Sequence, residues 1–300
     1  MAPRSIRIFR SPGPSGRLIL HDGGGLWDLS DLLQRQGQPT DLVDLFEADY
    51  LTSGRLEKLL PGGGIEWRPA DVETDANGVP VELDVPIAPR RVGKILALGK
   101  NFRAHAEEFG EAPPEEPLFF NKLPETLCPH DATVVIPPWL ESRVDHEAEL
   151  AVVVGLGGRD IAAEDAMDHV AGYTVANDLT ARTIQGEDRS KEYPWFRAKN
   201  LDGFCPLGPC FVPRDFLDLS DLRVTCEVGG ELRQDASTRD WIVDLPAAIV
   251  ALSRHLTLHP GDLILMGTPA GVGPLVDGDR VRCKVEGIGI LDTHISRPSP

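Results

Sequence analysis

Residues 144–155 read V-D-H-E-A-E-L-A-V-V-V-G, which predicts a β-strand with two acidic side chains near its start. Side chains two residues apart on a strand point the same way, so Glu147 and Glu149 are expected on one face. Two neighbouring carboxylates are costly unless a cation or a proton lies between them. The pattern indicates either a cation site or the solvated face of an amphipathic strand, and E-x-E taken alone favours the solvated face.

A second apolar run, A-G-Y-T-V-A-N-D-L-T, carries Asp178 near its end. If this run forms a strand beside the first one, Asp178 brings a third carboxylate to Glu147 and Glu149. Three oxygen ligands without a thiolate suit a hard divalent ion such as Mg²⁺, Mn²⁺ or Ca²⁺. We therefore predict a metal site if the two strands are neighbours.

Composition limits the classes of partner. The chain has 300 residues, a hydrophobic fraction of 41% and a formal net charge of -17, typical of a globular protein and unfavourable for a nucleic-acid or anionic-membrane partner. Residues 182–199 are locally basic, which leaves room for a small anionic substrate. The five cysteines include no C-x-x-C, so neither a disulfide framework nor a structural zinc site is expected. No apolar run approaches the roughly 18 residues of a membrane span, and a cytoplasmic protein is expected.

The chain is predicted to divide into a small N-terminal unit, residues 1–88, and a main domain, residues 89–300. Short strands and helices, one of the helices at 26–33, precede a stretch rich in Pro and Gly that we take as the boundary. After the metal-site strand, V-V-V-G-L-G-G-R-D imitates a dinucleotide fingerprint, but Asp160 stands where the third glycine belongs. We interpret residues 155–158 as a turn and expect a helix over 163–170.

Two further motifs have a functional and a structural interpretation. His105 and Glu108 stand three apart, so one helical turn would let them hydrogen-bond as an acid/base pair, although such pairs are also common on helix surfaces. The glycines of residues 256–273 could direct N–H groups at an anion, with Thr268 contacting a ligand, or could form a tight turn between strands. Residues 111–117, E-A-P-P-E-E-P, have few apolar anchors and could be the hinge of a lid.

Together these pieces resemble the fumarylacetoacetate hydrolase family, from about Lys94 to Ile295. The matching stretches are G-K-N-F-R-A-H-A-E-E, D-H-E-A-E-L-A-V-V-V-G, G-Y-T-V-A-N-D-L-T-A-R, F-R-A-K-N-L-D-G-F-C-P-L-G-P and P-G-D-L-I-L-M-G-T-P-A-G-V-G. The resemblance implies an α+β, β-rich fold with a rolled mixed sheet and a homodimer. It also implies roles for the candidate side chains: Mg²⁺ or Mn²⁺ ligands (Glu147, Glu149, Asp178), an acid/base dyad (His105, Glu108), an enolate-stabilising lysine (Lys199) and substrate contacts (Arg182, Gln185, Thr268). No organic cofactor is expected.

The implied chemistry is hydrolysis of a C–C bond in a 2,4-diketo acid of the acylpyruvate or fumarylpyruvate type. In that reaction water deprotonated by His105 attacks the distal carbonyl, and the pyruvyl part leaves as an enolate held by the metal and Lys199. Decarboxylation of oxaloacetate-type acids and isomerisation of hydroxymuconate-type dienes pass through the same kind of enolate and stay open as alternatives, as does a non-catalytic protein of the same fold. His146 stands where the family often has an aromatic residue and is expected to point away from the metal.

Overall fold

The computed structural model describes residues 5–13, 16–51, 53–60, 65–108, 110, 114 and 116–298, with the side chains of residues 53 and 57 left aside. The strands in these ranges are β1 (Arg7–Arg10), β2 (Leu18–His21), β3 (Leu26–Asp28), β4 (Ile95–Gly99), β5 (Leu118–Lys122), β6 (Leu127–Cys128), β7 (Ala132–Val135), β8 (Val144–Asp145), β9 (Ala148–Val154), β10 (Val170–Asn177), β11 (Thr180–Ala181), β12 (Cys205–Pro213), β13 (Arg223–Val228), β14 (Glu231–Ser237), β15 (Leu263–Leu265), β16 (Arg280–Val285) and β17 (Gly289–Ser296).

The α-helices in the same ranges are fewer than the strands. They are α1 (Leu29–Arg35), α2 (Leu42–Glu47), α3 (Ser53–Leu59), α4 (Arg103–Glu108), α5 (Arg182–Ser190), α6 (Phe196–Lys199) and α7 (Leu245–His255).

The fold is α+β and rich in strands, as predicted. In the described ranges no helix has the length and apolar character that a membrane crossing requires.

A large mixed sheet forms the centre of the fold, with strand order β3-β2-β1-β12-β10-β9-β15-β4-β5 and β6 attached to β12. Strand β9 is antiparallel to both β10 and β15, whereas β15 and β4 run parallel. A second sheet has the order β14-β13-β16-β17-β7, and β8 pairs with β11 in a small ladder. Parallel and antiparallel pairs therefore coexist, as in the predicted mixed sheet.

Strand β9 is buried along its whole length because both faces of the central sheet are covered. Leu150 and Val152 belong to one hydrophobic cluster, and Ala151 and Val153 belong to the other. This alternation follows from the two-residue period of a strand, and the branched side chains suit a strand packed on both sides. The position of β9 in the middle of the sheet fixes the residues at its start very firmly.

The N-terminal strands extend the central sheet. Strand β1 pairs with β12 at Ile8 and Phe211, and Asp28 and Asp41 accept hydrogen bonds from the first-turn N–H groups of α1 and α2. Such caps satisfy donors that a helix cannot pair internally. The boundary between residues 88 and 89 and the homodimer both stay predictions.

Two local predictions are wrong. Residues 163–170 do not form the predicted helix: only a short 3₁₀ turn, Ala166–His169, is present, and Val170 already begins β10. The predicted helix at 26–33 begins three residues later, because Leu26–Asp28 pairs with β2 as a strand. At Leu26–Asp28 the pairing with β2 outweighs a weak local helix preference, whereas residues 163–169 form turns that lead into β10.

The cysteines form no disulfide bond in the described chain. All five cysteines are free, and four of them are buried. They pack as small apolar side chains.

Candidate functional site

Three carboxylates converge at one end of strands β9 and β10. Glu149 is the second residue of β9, Glu147 lies in the break between β8 and β9, and Asp178 directly follows β10. The two strands pair with Ala176 opposite Glu149, and the Asp178 N–H donates to the carbonyl oxygen of Glu147 at 2.8 Å. One carboxylate oxygen from each residue lies within 4.8 Å of those of the other two.

The solvated-face interpretation of E-x-E is wrong. Glu147, Glu149 and Asp178 are only 4%, 2% and 0% exposed. Buried carboxylates need a compensating charge, a proton or a metal ion.

Buried cations compensate two of these carboxylates. Lys199 Nζ donates to Glu147 Oε2 at 2.8 Å and to Asp178 Oδ2 at 2.6 Å. Arg182 donates to Glu147 Oε1, and Lys122 Nζ lies 2.8 Å from Asp178 Oδ1. Burial opposes the charged form of Glu147, but Lys199 and then Arg182 outweigh burial and hold its pKa well below the usual range.

Glu149 is the uncompensated carboxylate. Among the described residues its side chain makes no ion pair, and the Gly267 N–H donates to its Oε2 at 2.7 Å. Burial, followed by the negative charges of Asp178 and Glu147, raises its pKa well above the usual value. A divalent cation would relieve this repulsion, and three carboxylate oxygens without sulfur suit Mg²⁺, Mn²⁺ or Ca²⁺. The donor set and the lack of an ionic partner for Glu149 among the described residues therefore fit such an ion.

The predicted His–Glu pair forms on α4. His105 Nδ1 lies 3.1 Å from Glu108 Oε2, and Glu108 Oε1 accepts a hydrogen bond from the Gly271 N–H at 3.1 Å. His105 is 6% exposed, and its burial lowers its pKa, so the imidazole is neutral near neutral pH. A neutral imidazole oriented by a carboxylate can accept a proton.

Glu147 and Glu149 of the triad and His105 of the pair line a common cavity of about 240 Å³. Among its walls are His105, Glu147 and Glu149, the apolar side chains of Leu98, Phe120 and Trp195, the predicted contacts Arg182, Gln185, Lys199 and Thr268, and the two cations Lys100 and Arg189. The cavity lining thus contains four Lys or Arg side chains and two carboxylates, although the chain as a whole carries a net charge of -17.

The N–H groups of the glycine-rich segment bind carboxylates of the protein itself, and the role of Thr268 as a ligand contact stays a prediction. The anions that these N–H groups face are the carboxylates of Glu149 and Glu108. At Gly271, φ is +99° and an added Cβ would lie 1.9 Å from the carbonyl oxygen of Arg233, so only glycine fits there. Thr268 lines the cavity, and its hydroxyl donates to the carbonyl oxygen of Ala148 at 3.0 Å.

Two buried polar residues of the site were missed from the sequence. Lys122 ends strand β5 with no exposed surface, and a lysine closing the apolar run L-F-F-N-K was the signal that could have revealed it. Gln234 lies on β14, where its Nε2 donates to Thr268 Oγ1 at 2.8 Å and its Oε1 accepts from the Ala148 N–H at 3.0 Å. Gln234 Oε1 also lies 3.2 Å from His146 Nδ1, so His146 turns to the second sheet, whereas the carboxylates face the cavity.

The predicted lid hinge at residues 111–117 lies largely outside the described residues, and its role stays a prediction.

Residues 94–296 match the family model described as Fumarylacetoacetate (FAA) hydrolase C-terminal. A mitochondrial oxaloacetate tautomerase of Bos taurus is 38% identical over 96% of this chain and 91% of its own. A mitochondrial oxaloacetate decarboxylase of Dictyostelium discoideum is 40% identical over 67% of this chain and 91% of its own. The solved structure of fumarylpyruvate hydrolase from Pseudomonas aeruginosa in complex with Mn²⁺ and pyruvate aligns with a TM-score of 0.66 and 30% identity, over 76% of this chain and 94% of that one. The family match over two thirds of the sequence, together with these relatives, shows that this chain belongs to the fumarylacetoacetate hydrolase family.

Proposed function

We propose that the protein is a divalent-metal-dependent enzyme that converts a 2-oxo acid through its enolate, and that its reaction is the tautomerisation or decarboxylation of an oxaloacetate-like acid. The observation that carries the proposal is the buried Glu147–Glu149–Asp178 triad at the end of a cavity rich in cations. The names of the Bos taurus and Dictyostelium discoideum relatives favour oxaloacetate chemistry over the C–C hydrolysis that the sequence analysis placed first.

The triad would hold Mg²⁺ or Mn²⁺ through one oxygen of each carboxylate. A divalent ion bound there supplies Lewis-acid stabilisation of the negative charge that develops on the keto oxygen of the substrate. Lys199 adds a fixed positive charge in the same buried region, where charge interactions are strong. The substrate's own carboxylate is attracted by Arg182, which lines the cavity beside Glu147.

His105 is the proton carrier of the proposed reaction. In tautomerisation its neutral imidazole takes the proton from the carbon next to the keto group, and that proton returns to the keto oxygen, so none is gained or lost overall. In decarboxylation the bond to the distal carboxylate breaks, CO₂ leaves, and the electron pair enters the same enolate, which then takes up a proton at carbon. Glu108 orients the imidazole in both cases.

Hydrolysis of an acylpyruvate is the second candidate, and the His105–Glu108 pair is the observation that favours it. A neutral imidazole held by a carboxylate can also deprotonate a water molecule that attacks a carbonyl carbon. The fumarylpyruvate hydrolase that aligns with this chain bears the name of such a reaction. Both candidates need the same enolate, so product analysis must separate them.

In the test, the purified protein is incubated with Mg²⁺ or Mn²⁺ and with either oxaloacetate or acetylpyruvate. We expect metal-dependent loss of the oxaloacetate enol absorbance or release of CO₂, stopped by a chelator and restored by the metal. Formation of acetate and pyruvate from acetylpyruvate, without acceleration of either oxaloacetate reaction, would establish the hydrolase instead. If neither substrate reacts, the catalytic proposal is wrong and the non-catalytic alternative gains support.

A further inference from the structure

We infer that Lys100 and Arg189 bind a second carboxylate of the substrate, at the end of the cavity away from the carboxylate triad. The substrate class is then a 2-oxo dicarboxylate, with its keto-acid head at the triad and its tail at these two cations. The inference rests on the proposed function only in placing the keto-acid head at the triad.

Helix α5 sets the direction of the cavity. Arg182, Gln185, Gly186 and Arg189 all line it, and their spacing of three, four and seven residues places them on one face of the helix. Arg182 marks the triad end, because it is paired with Asp145 and Glu147. Arg189 lies two turns further along, about 10 Å at 1.5 Å per residue. A ligand anchored at the triad therefore extends along α5 toward Arg189.

Lys100 lines this outer end from a second element, the turn that follows β4. It follows the last residue of β4 and has a φ of +57°, a left-handed conformation that a lysine adopts at a cost. Strained residues of this kind cluster at ligand sites because the surrounding structure holds them there. Burial lowers the pKa of Lys100, and the positive charge of the nearby Arg189 lowers it further.

The walls between the two ends are largely apolar. Phe120 and Trp195 line the cavity with their ring centroids 5.6 Å apart, and Leu98 adds an aliphatic surface. A short carbon chain fits beside such walls, while charged groups are held at the ends. A carboxylate between Lys100 and Arg189 gains charge-assisted hydrogen bonds that a methyl group cannot make.

Binding measurements test this tail site independently of turnover. The probes are 2-oxoglutarate and 2-oxopentanoate, which have the same chain length. The tail of 2-oxoglutarate ends in a carboxylate, and the tail of 2-oxopentanoate ends in a methyl group. With Mn²⁺ present, we expect calorimetry to show that the natural protein binds 2-oxoglutarate at least about tenfold more tightly, the scale of one charge-assisted hydrogen bond. Arg189→Gln and Lys100→Gln should each reduce that preference severalfold while the affinities for 2-oxopentanoate and Mn²⁺ stay the same.

Arg159→Gln is the matched control, since Arg159 is an exposed arginine whose Nε lies 3.6 Å from Asp160 and which does not line the cavity. This variant should keep the full preference. Thermal denaturation of every variant shows whether it is folded. The Arg189 and Lys100 variants are two independent tests of the tail site. An unchanged preference in both, an equal loss of affinity for both probes, or no preference in the natural protein would overturn the tail site.

The two proposals can fail separately. If the natural protein shows the preference and the variants lose it, but oxaloacetate does not react, the tail site stands and the proposed reaction is wrong. If oxaloacetate reacts with an unchanged KM in both variants, the reaction stands and the tail site is wrong.

Discussion

The two ends of the cavity are built in different ways. The triad end has Glu147, Glu149, Asp178 and Lys199, each at most 4% exposed and held by strands of the central sheet or by buried ion pairs. The outer end has an exposed Arg189 on a short helix and a partly buried Lys100 in a turn. Side chains in a packed interior cannot be substituted without a loss of stability, whereas side chains on exposed helices and turns can be. The triad end therefore suits the proposed enolate chemistry, and the outer end suits the proposed selection of substrate.

The triad end also carries an electrostatic cost. Three carboxylates and the cations Lys199, Lys122 and Arg182 are packed together, and Glu149 is left without an ionic partner among the described residues. A site arranged only for stability would avoid a buried carboxylate of this kind. Such a cost is typical of functional sites and is relieved when the proper ligand binds.

Glu149→Gln should have the largest effect, because it changes the triad end itself. It removes one anionic oxygen from the triad, so we expect metal affinity to fall at least about 10²-fold and turnover to fall roughly 10³-fold or more. Without metal, the variant should melt at the same temperature as the natural protein or higher, because a like charge is removed. Calorimetry with Mn²⁺ and thermal denaturation with and without the ion measure both effects. Unchanged metal affinity would remove Glu149 from the ligand set.

His105→Ala should have the second largest effect, and it should distinguish the role of proton carrier from that of metal ligand. We expect turnover to fall by about 10²-fold or more, the usual contribution of a general acid or base. Metal affinity should be close to that of the natural protein, because the three carboxylates are untouched. Steady-state kinetics at saturating metal, with calorimetry as the control, make this comparison. Near-natural turnover would exclude His105 from the reaction.

Gly271→Ala should have the smallest effect on turnover and should act through structure. The new Cβ must displace the carbonyl of Arg233, and φ at this position is unfavourable for alanine, so we expect a loss of about 1–3 kcal/mol in the free energy of unfolding. Turnover should fall severalfold, because the hydrogen bond from Gly271 to Glu108 is disturbed. Denaturant unfolding measures the stability loss.

Gly54→Ala is the matched control, since an added Cβ there meets nothing within 4 Å, and its effect should stay within about 0.5 kcal/mol. Equal stability of the two variants would contradict the close packing around Gly271.

The local sequence pattern was sufficient to predict the strand and the helix that carry the site. The apolar run at 148–154 predicted its strand because alternate side chains serve opposite faces, and the spacing of His105 and Glu108 predicted their contact because residues three apart share a helix face. The pairing of the two strands that carry Glu149 and precede Asp178 was the condition of the predicted metal site, and the structure meets it. Where local preference was weak, as at 26–28, pairing with a neighbouring strand prevailed.

Sequence by itself determined the strand-rich fold class through the family resemblance, and it determined the acidic triad as a candidate metal site and the His–Glu pair through residue type and short-range spacing. Tertiary structure alone decided which cations neutralise Glu147 and Asp178, that Glu149 is left uncompensated, and that Gln234 supports the site from the second sheet. Those facts depend on contacts between residues far apart in the chain, such as Lys122 and Asp178. No local pattern encodes them, since the energy of a buried charge is set by whatever the whole fold packs around it.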